Sequence, residues 1–75
     1  MKNPRYAVVI EKGKRGYGAY VPDLPVCAAF AKTEAEVRKR IQSAIAFHIR
    51  CLRQDGDVVP RPRTLVEYVE VPLAS

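Results

Sequence analysis

Residues 5–25 read RYAVVIEKGKRGYGAYVPDLP, and the turn-forming residues within this run decide the fold. Arg5 to Glu11 is rich in β-branched and aromatic side chains, which suit a pleated backbone. Lys12-Gly13-Lys14-Arg15-Gly16 supplies the glycines of a hairpin turn, so Tyr17 to Val21 is predicted to return as an antiparallel strand. Pro22 and Pro25 then stop the ladder, because each removes a backbone donor and fixes φ. With a third short strand over 27–31, the expected strands at about 5–12, 17–21 and 27–31 form a meander.

Beyond the meander the hydrophobic period changes. Thr33 with Glu36 three residues later is a capping box, which starts a helix at Glu34. Val37, Ile41, Ala44, Ile45, His48, Ile49 and Leu52 recur on one side of a 3.6-residue helix and form the stripe that packs on the sheet. Gly56 suits the left-handed position after a helix end, and Arg50 and Arg53 favour the negative end of its dipole, so the helix is predicted over 34–54. Residues 58–64 (VVPRPRT) form a proline-stiffened connector, and residues 65–71 (LVEYVEV) read as a strand that Pro72 ends. The expected class is α+β, β-β-β-α-β, as a single domain over residues 1–75. One helix covers one sheet face, and the C-terminal strand returns to the sheet of its own chain or of a partner.

Composition narrows the setting. At 75 residues, a single domain buries a smaller share of its surface than larger ones do, so extra burial against another chain would help it. With 48% hydrophobic and 28% charged residues, the chain has the profile of a folded domain. Cys27 and Cys51 are too few and too far apart for a disulfide framework, and nothing at the N-terminus looks like a signal peptide. Lys and Arg interrupt every apolar stretch before the roughly 20 residues a membrane span needs. The expected setting is therefore the cytoplasm. A net charge of +5 favours an acidic partner without identifying one.

Two features point to a homo-oligomer, a dimer or higher. Tyr6 to Ile10 are apolar in succession, so both faces of the first strand want cover while one helix covers one of them. Phe47 lies off the main helical stripe. The expected interface comprises Tyr6, Val8, Ile10 and Phe47 with Val69 and Val71 of the last strand.

Tyr6-Ala7-Val8-Val9-Ile10, the run from Gly16 to Pro25, Thr33-Glu34-Ala35-Glu36, Asp55-Gly56, Pro60 and the closing Val66 to Val71 together resemble the HicB family of antitoxins across nearly the whole chain. The most specific part is the aromatic-alternating strand that runs straight into Pro22-Asp23-Leu24-Pro25. The resemblance implies a shortened ribonuclease-H-like fold and a non-catalytic protein that neutralises HicA, a small toxin that cleaves messenger RNA using a histidine. Tyr17, Tyr20, Pro22, Asp23, Leu24 and Pro25 would then be the partner-binding residues, offered beside an open sheet edge. Many HicB antitoxins carry a further DNA-binding module. This chain ends after its last strand, so no DNA binding by the chain alone is expected. The family usually has Gly where Val26 stands; if that position needs positive φ, a β-branched residue is strained there. The +5 charge is also an awkward surface for a basic toxin, which leaves Asp23, Glu67 and Glu70 as local contacts.

Catalytic readings fare poorly. Two-metal phosphodiester cleavage needs converging carboxylates, whereas Glu11, Asp23, Glu34, Glu36, Asp55 and Asp57 are scattered over loops and helix ends. His48 and Cys51, with Cys27 facing them, make three zinc ligands without an evident fourth, and no glycine-rich turn adjoins either Cys to serve a Cys-His dyad. No enzyme activity, metal or cofactor is expected. The alternative reading is a basic RNA-associated protein that uses Lys14 and Arg15 at the hairpin tip and Lys39 and Arg50 on the helix.

Overall fold

A computed structural model describes residues 3–74. Three antiparallel strands form one sheet in the order β1-β2-β3, with β1 at Val9–Lys12, β2 at Tyr17–Tyr20 and β3 at Ala28–Ala31. Among the described residues one helix, α1, follows at Glu34–Gln54, with the bounds the capping signals predict. The strands are shorter than the apolar runs that announce them. Residues 5–8 are extended without strand pairing, while β2 and β3 each lose one residue beside the proline loop.

Register shows which side chains share a face. Ile10 stands opposite Ala19, and Ala19 opposite Ala29, so these three point to one side. That is the helix side, since Ala19 is buried with Ala31, Val37 and Ile41. Val9, Tyr20 and Ala28 align on the other side with Phe30, and no element covers that face among the described residues. Tyr20 and Phe30 are accordingly exposed.

Hairpin geometry depends on Gly16. Its backbone packs against the end of β3, where an added Cβ would lie 2.5 Å from the Ala31 carbonyl oxygen and 2.9 Å from the Phe30 ring. Gly13 N–H closes the turn by donating to the Gly16 carbonyl at 2.7 Å.

Both ends of α1 are capped. Thr33 Oγ1 accepts from the Glu36 N–H at 3.1 Å, and its hydroxyl donates to Glu36 Oε1 at 3.0 Å, so the Glu returns to the side chain of the cap. At the other end Gly56 takes φ 74°, its N–H donates to Arg53 O, and Asp57 N–H donates to Leu52 O, which is a Schellman ending. Arg40 Nη1 donates to the Phe30 carbonyl at 3.1 Å and ties the helix to β3. Arg38 and Glu34 form an exposed ion pair one turn apart on α1, 2.6 Å between charged atoms, a geometry of little energetic weight.

Residues 65–71 depart from the expectation. They are extended, but they pair with none of the three strands, and the return to the chain's own sheet is not seen. The radius of gyration is 15.0 Å, whereas a compact chain of this length has about 11 Å. Among the described residues, no helix is long and apolar enough to cross a membrane.

Candidate functional site

The loop after β2 is built from two consecutive β-turns. Leu24 N–H donates to Val21 O and Cys27 N–H donates to Leu24 O, both at 3.1 Å, with Pro22 and Pro25 each in the second position of its turn. The second turn places Val26 third, with φ 60°, the left-handed value that this turn position reserves for glycine. The expected strain at Val26 is therefore present. Its side chain is 95% exposed, so nothing packs there to offset it.

These turns drive Leu24 inward, where it is fully buried beside Val37 and Cys27. As it stands Leu24 offers a partner no surface; it anchors the loop. Asp23 is likewise engaged within its own chain. Its carboxylate accepts from the Arg63 and Thr64 N–H groups at 2.9 and 3.0 Å and from the Thr64 hydroxyl at 2.8 Å. The Thr64 and Arg63 backbone donors, then the Thr64 hydroxyl, hold the Asp23 carboxyl below its ordinary pKa. Of the six residues expected to meet a partner, Tyr20, Pro22 and Pro25 are exposed, while Tyr17 is half-buried against the core.

A second fastening lies close by. Tyr6 Oη donates to the Pro60 carbonyl at 2.5 Å, and the phenol is pushed up by burial and by the Asp23 carboxylate, with Arg53 acting in the opposite sense. Together the two contacts secure residues 60–64 beside the end of the sheet. No sequence signal announces either one, since their partners lie 40 or more positions apart and follow no period.

Tyr6, Val8 and Ile10 point to the helix side and are half-buried there. They stay half-buried because β1 is an edge strand. Between it and α1 runs an open groove of about 550 Å³, lined by Val8, Ile10, Ile41 and Ile45 with Arg5 and Arg38 among the polar residues. Phe47 is exposed on α1 away from this groove, and Val69 and Val71 are exposed on the extended C-terminal segment.

The basic residues do not converge. Lys14 and Arg15 occupy the hairpin tip, whereas Lys39 and Arg50 are exposed on α1, eleven residues or about 16 Å of helix apart. Among the described residues no group of three His, Cys, Asp or Glu side chains gathers to hold a metal. Cys27 and Cys51 are free thiols, and burial raises the Cys27 pKa, which opposes formation of a nucleophilic thiolate.

Comparison with known proteins agrees with this geometry. A protein of Haemophilus phage HP1 (strain HP1c1), described as an uncharacterized 14.9 kDa protein in the rep-hol intergenic region, is 33% identical over 67 residues. That alignment covers 89% of this chain and 50% of the phage protein, so the chain spans half the length of that relative. A UPF0150 protein of Archaeoglobus fulgidus is 34% identical over 70 residues, covering 89% of this chain and 94% of its own. Among solved structures, a chain of a HicA3 and HicB3 toxin-antitoxin complex superposes with a TM-score of 0.68 at 32% identity, covering 79% of this chain and 70% of that one. The model of the HicB_like antitoxin of bacterial toxin-antitoxin systems matches residues 6–73, and with so much of the sheet, helix and C-terminal segment inside that match, the chain belongs to the HicB-like antitoxin family.

Proposed function

We propose that this chain is the antitoxin of a HicA-type messenger-RNA-cleaving toxin, or an orphan relative of such antitoxins. It acts in the cytoplasm as a homo-oligomer, neutralises its partner by direct binding, and has no enzymatic activity of its own. The observation that carries the reading is the likeness, at 32% identity, to a chain of a toxin-antitoxin complex, joined to a family match over residues 6–73. The surface we assign to the toxin is the exposed part of the proline loop, Tyr20, Pro22 and Pro25, with Leu24 and Asp23 fixing its shape from beneath. A loop held by two turns and a buried leucine loses little freedom on binding, which favours affinity.

The test is stoichiometric inhibition. A HicA-type toxin incubated with messenger RNA is expected to lose activity as the chain is added and to co-elute with it in gel filtration. Charge-introducing or bulk-removing changes at Tyr20 and Pro25 should weaken that complex while the far-ultraviolet spectrum of the antitoxin stays unchanged. Undiminished cleavage at large molar excess of the chain, against the toxin encoded beside it, would refute the reading.

A further inference from the structure

Residues 65–73 form an arm whose composition and surroundings disagree. Leu65, Val66, Tyr68, Val69, Val71 and Leu73 are between 60% and 94% exposed, a density of bare apolar side chains that the rest of the chain avoids. The backbone is already extended, yet among the described residues those of the arm make no backbone–backbone hydrogen bond. Holding a chain straight costs about 1–2 kcal/mol of conformational entropy per residue, and an arm without pairing or burial offsets none of it.

The missing half of this interaction lies elsewhere on the same surface. Among the described residues strand β1 pairs with β2 alone, so its other edge presents unpaired backbone groups. Along that edge runs the groove floored by Val8, Ile10, Ile41 and Ile45 and flanked by Arg5 and Arg38. On an extended strand Leu65, Glu67, Val69 and Val71 share one face. Three apolar side chains would then meet the aliphatic floor and one carboxylate would meet a guanidinium at its rim. The charges match locally although the whole chain is cationic.

We infer that the arm of one copy adds to the open edge of β1 of a second copy, with Val69 and Val71 seated in the groove between β1 and α1, and that the exchange is reciprocal. The inference rests on the homo-oligomer reading above and supplies its interface. The arm's setting favours a second copy over the chain's own groove: the molecule is drawn out to 55 Å against 28 and 22 Å across, and no residue of the arm joins the apolar core. With its root fastened by Asp23 and Tyr6, the arm runs beside the cleft of its own chain, where Tyr68 borders Val8 and Ile10 yet stays 94% exposed. It lies clear of the edge it passes.

Light scattering on the full chain at micromolar concentration is expected to give twice the 8.4 kDa chain mass. The double change Val69→Asp and Val71→Asp should raise the dissociation constant on the order of a hundredfold or more while the helix signal persists. In a second measurement, a full chain carrying Val69→Cys is mixed with a differently tagged chain carrying Val8→Cys and oxidised. A disulfide joining the two chains at the introduced positions supports the exchange. If the doubly changed chain remains dimeric, or if the disulfide forms only within a single chain carrying both cysteines, the arm assignment is overturned and the homo-oligomer reading stands. A monomeric parent chain ends both.

Discussion

Strand β1 with its flank, residues 5–12, and the arm, residues 65–71, are both strand-forming stretches that mix Val, Tyr and Glu, and they end in opposite circumstances. In the first, residues 9–12 pair with β2 and residues 6–10 are half-buried; the second is extended, unpaired and exposed. What separates them is the distance to a partner along the chain. Residues 13–16 return β2 to β1 at once, so pairing costs little loop entropy. The arm follows a helix and a proline-rich connector, and its root is fixed before its apolar part begins.

Removing the anchor of the ordered region breaks the comparison most severely. Leu24 is fully buried at the junction of the two turns with the helix, and Leu24→Ala is expected to cost about 3 kcal/mol in lost burial and residual cavity. For a chain of 75 residues that is a large fraction of the total, so the urea midpoint should fall steeply. Tyr68→Ser in the arm should leave the midpoint unchanged at concentrations where the chain is monomeric. A loss of stability there equal to that of Leu24→Ala would mean that the arm already belongs to the body of its own chain.

The same contrast explains what could be read from sequence. Helix α1 was fully legible, because Thr33, Glu36 and Gly56 are local signals that act within a few residues. The order β1-β2-β3 followed from turn chemistry for the same reason. Alternation in LVEYVEV correctly predicts an extended segment with faces that want cover, but a period carries no address for the pairing edge. Among the candidate site residues, the proline loop was recognised as a unit. Its division into the exposed Tyr20, Pro22 and Pro25, the buried Leu24 and the internally bonded Asp23 depends on turn geometry and on Thr64, 41 positions away from Asp23. The groove arises only when β1 becomes an edge, which no stretch of sequence states.

Val26 allows a finer test within the ordered region. A β-branched residue at φ 60° is strained, and its exposed side chain gives nothing back, so Val26→Gly should stabilise the chain by about 1 kcal/mol. The gain should appear as a higher urea midpoint with an unchanged slope. A decrease would place unfolded-chain entropy above the strain. At the other end of the loop's support, Thr33→Ala removes the acceptor for the Glu36 N–H and should lower stability by about 1 kcal/mol. Neither change should alter the arm.

The smallest effect lies at the junction of the two regions and depends on pH. Asp23 holds the root of the arm through three hydrogen bonds to its ionised form, which is why its folded pKa lies below the ordinary value of 3.8. A depressed folded pKa means that the fastening is complete above the unfolded value and is lost as pH falls through the folded one. The arm root should therefore stay fixed from neutral pH down to about the unfolded carboxylate value. Below it, the protected amides of Arg63 and Thr64 should begin to exchange while those of α1 persist. In Asp23→Asn the same two amides should exchange freely at neutral pH, since an amide oxygen is a weaker acceptor than a carboxylate. Equal protection of these amides in parent and variant would show that the carboxylate charge is not what holds the root, and would overturn the pH dependence assigned to Asp23.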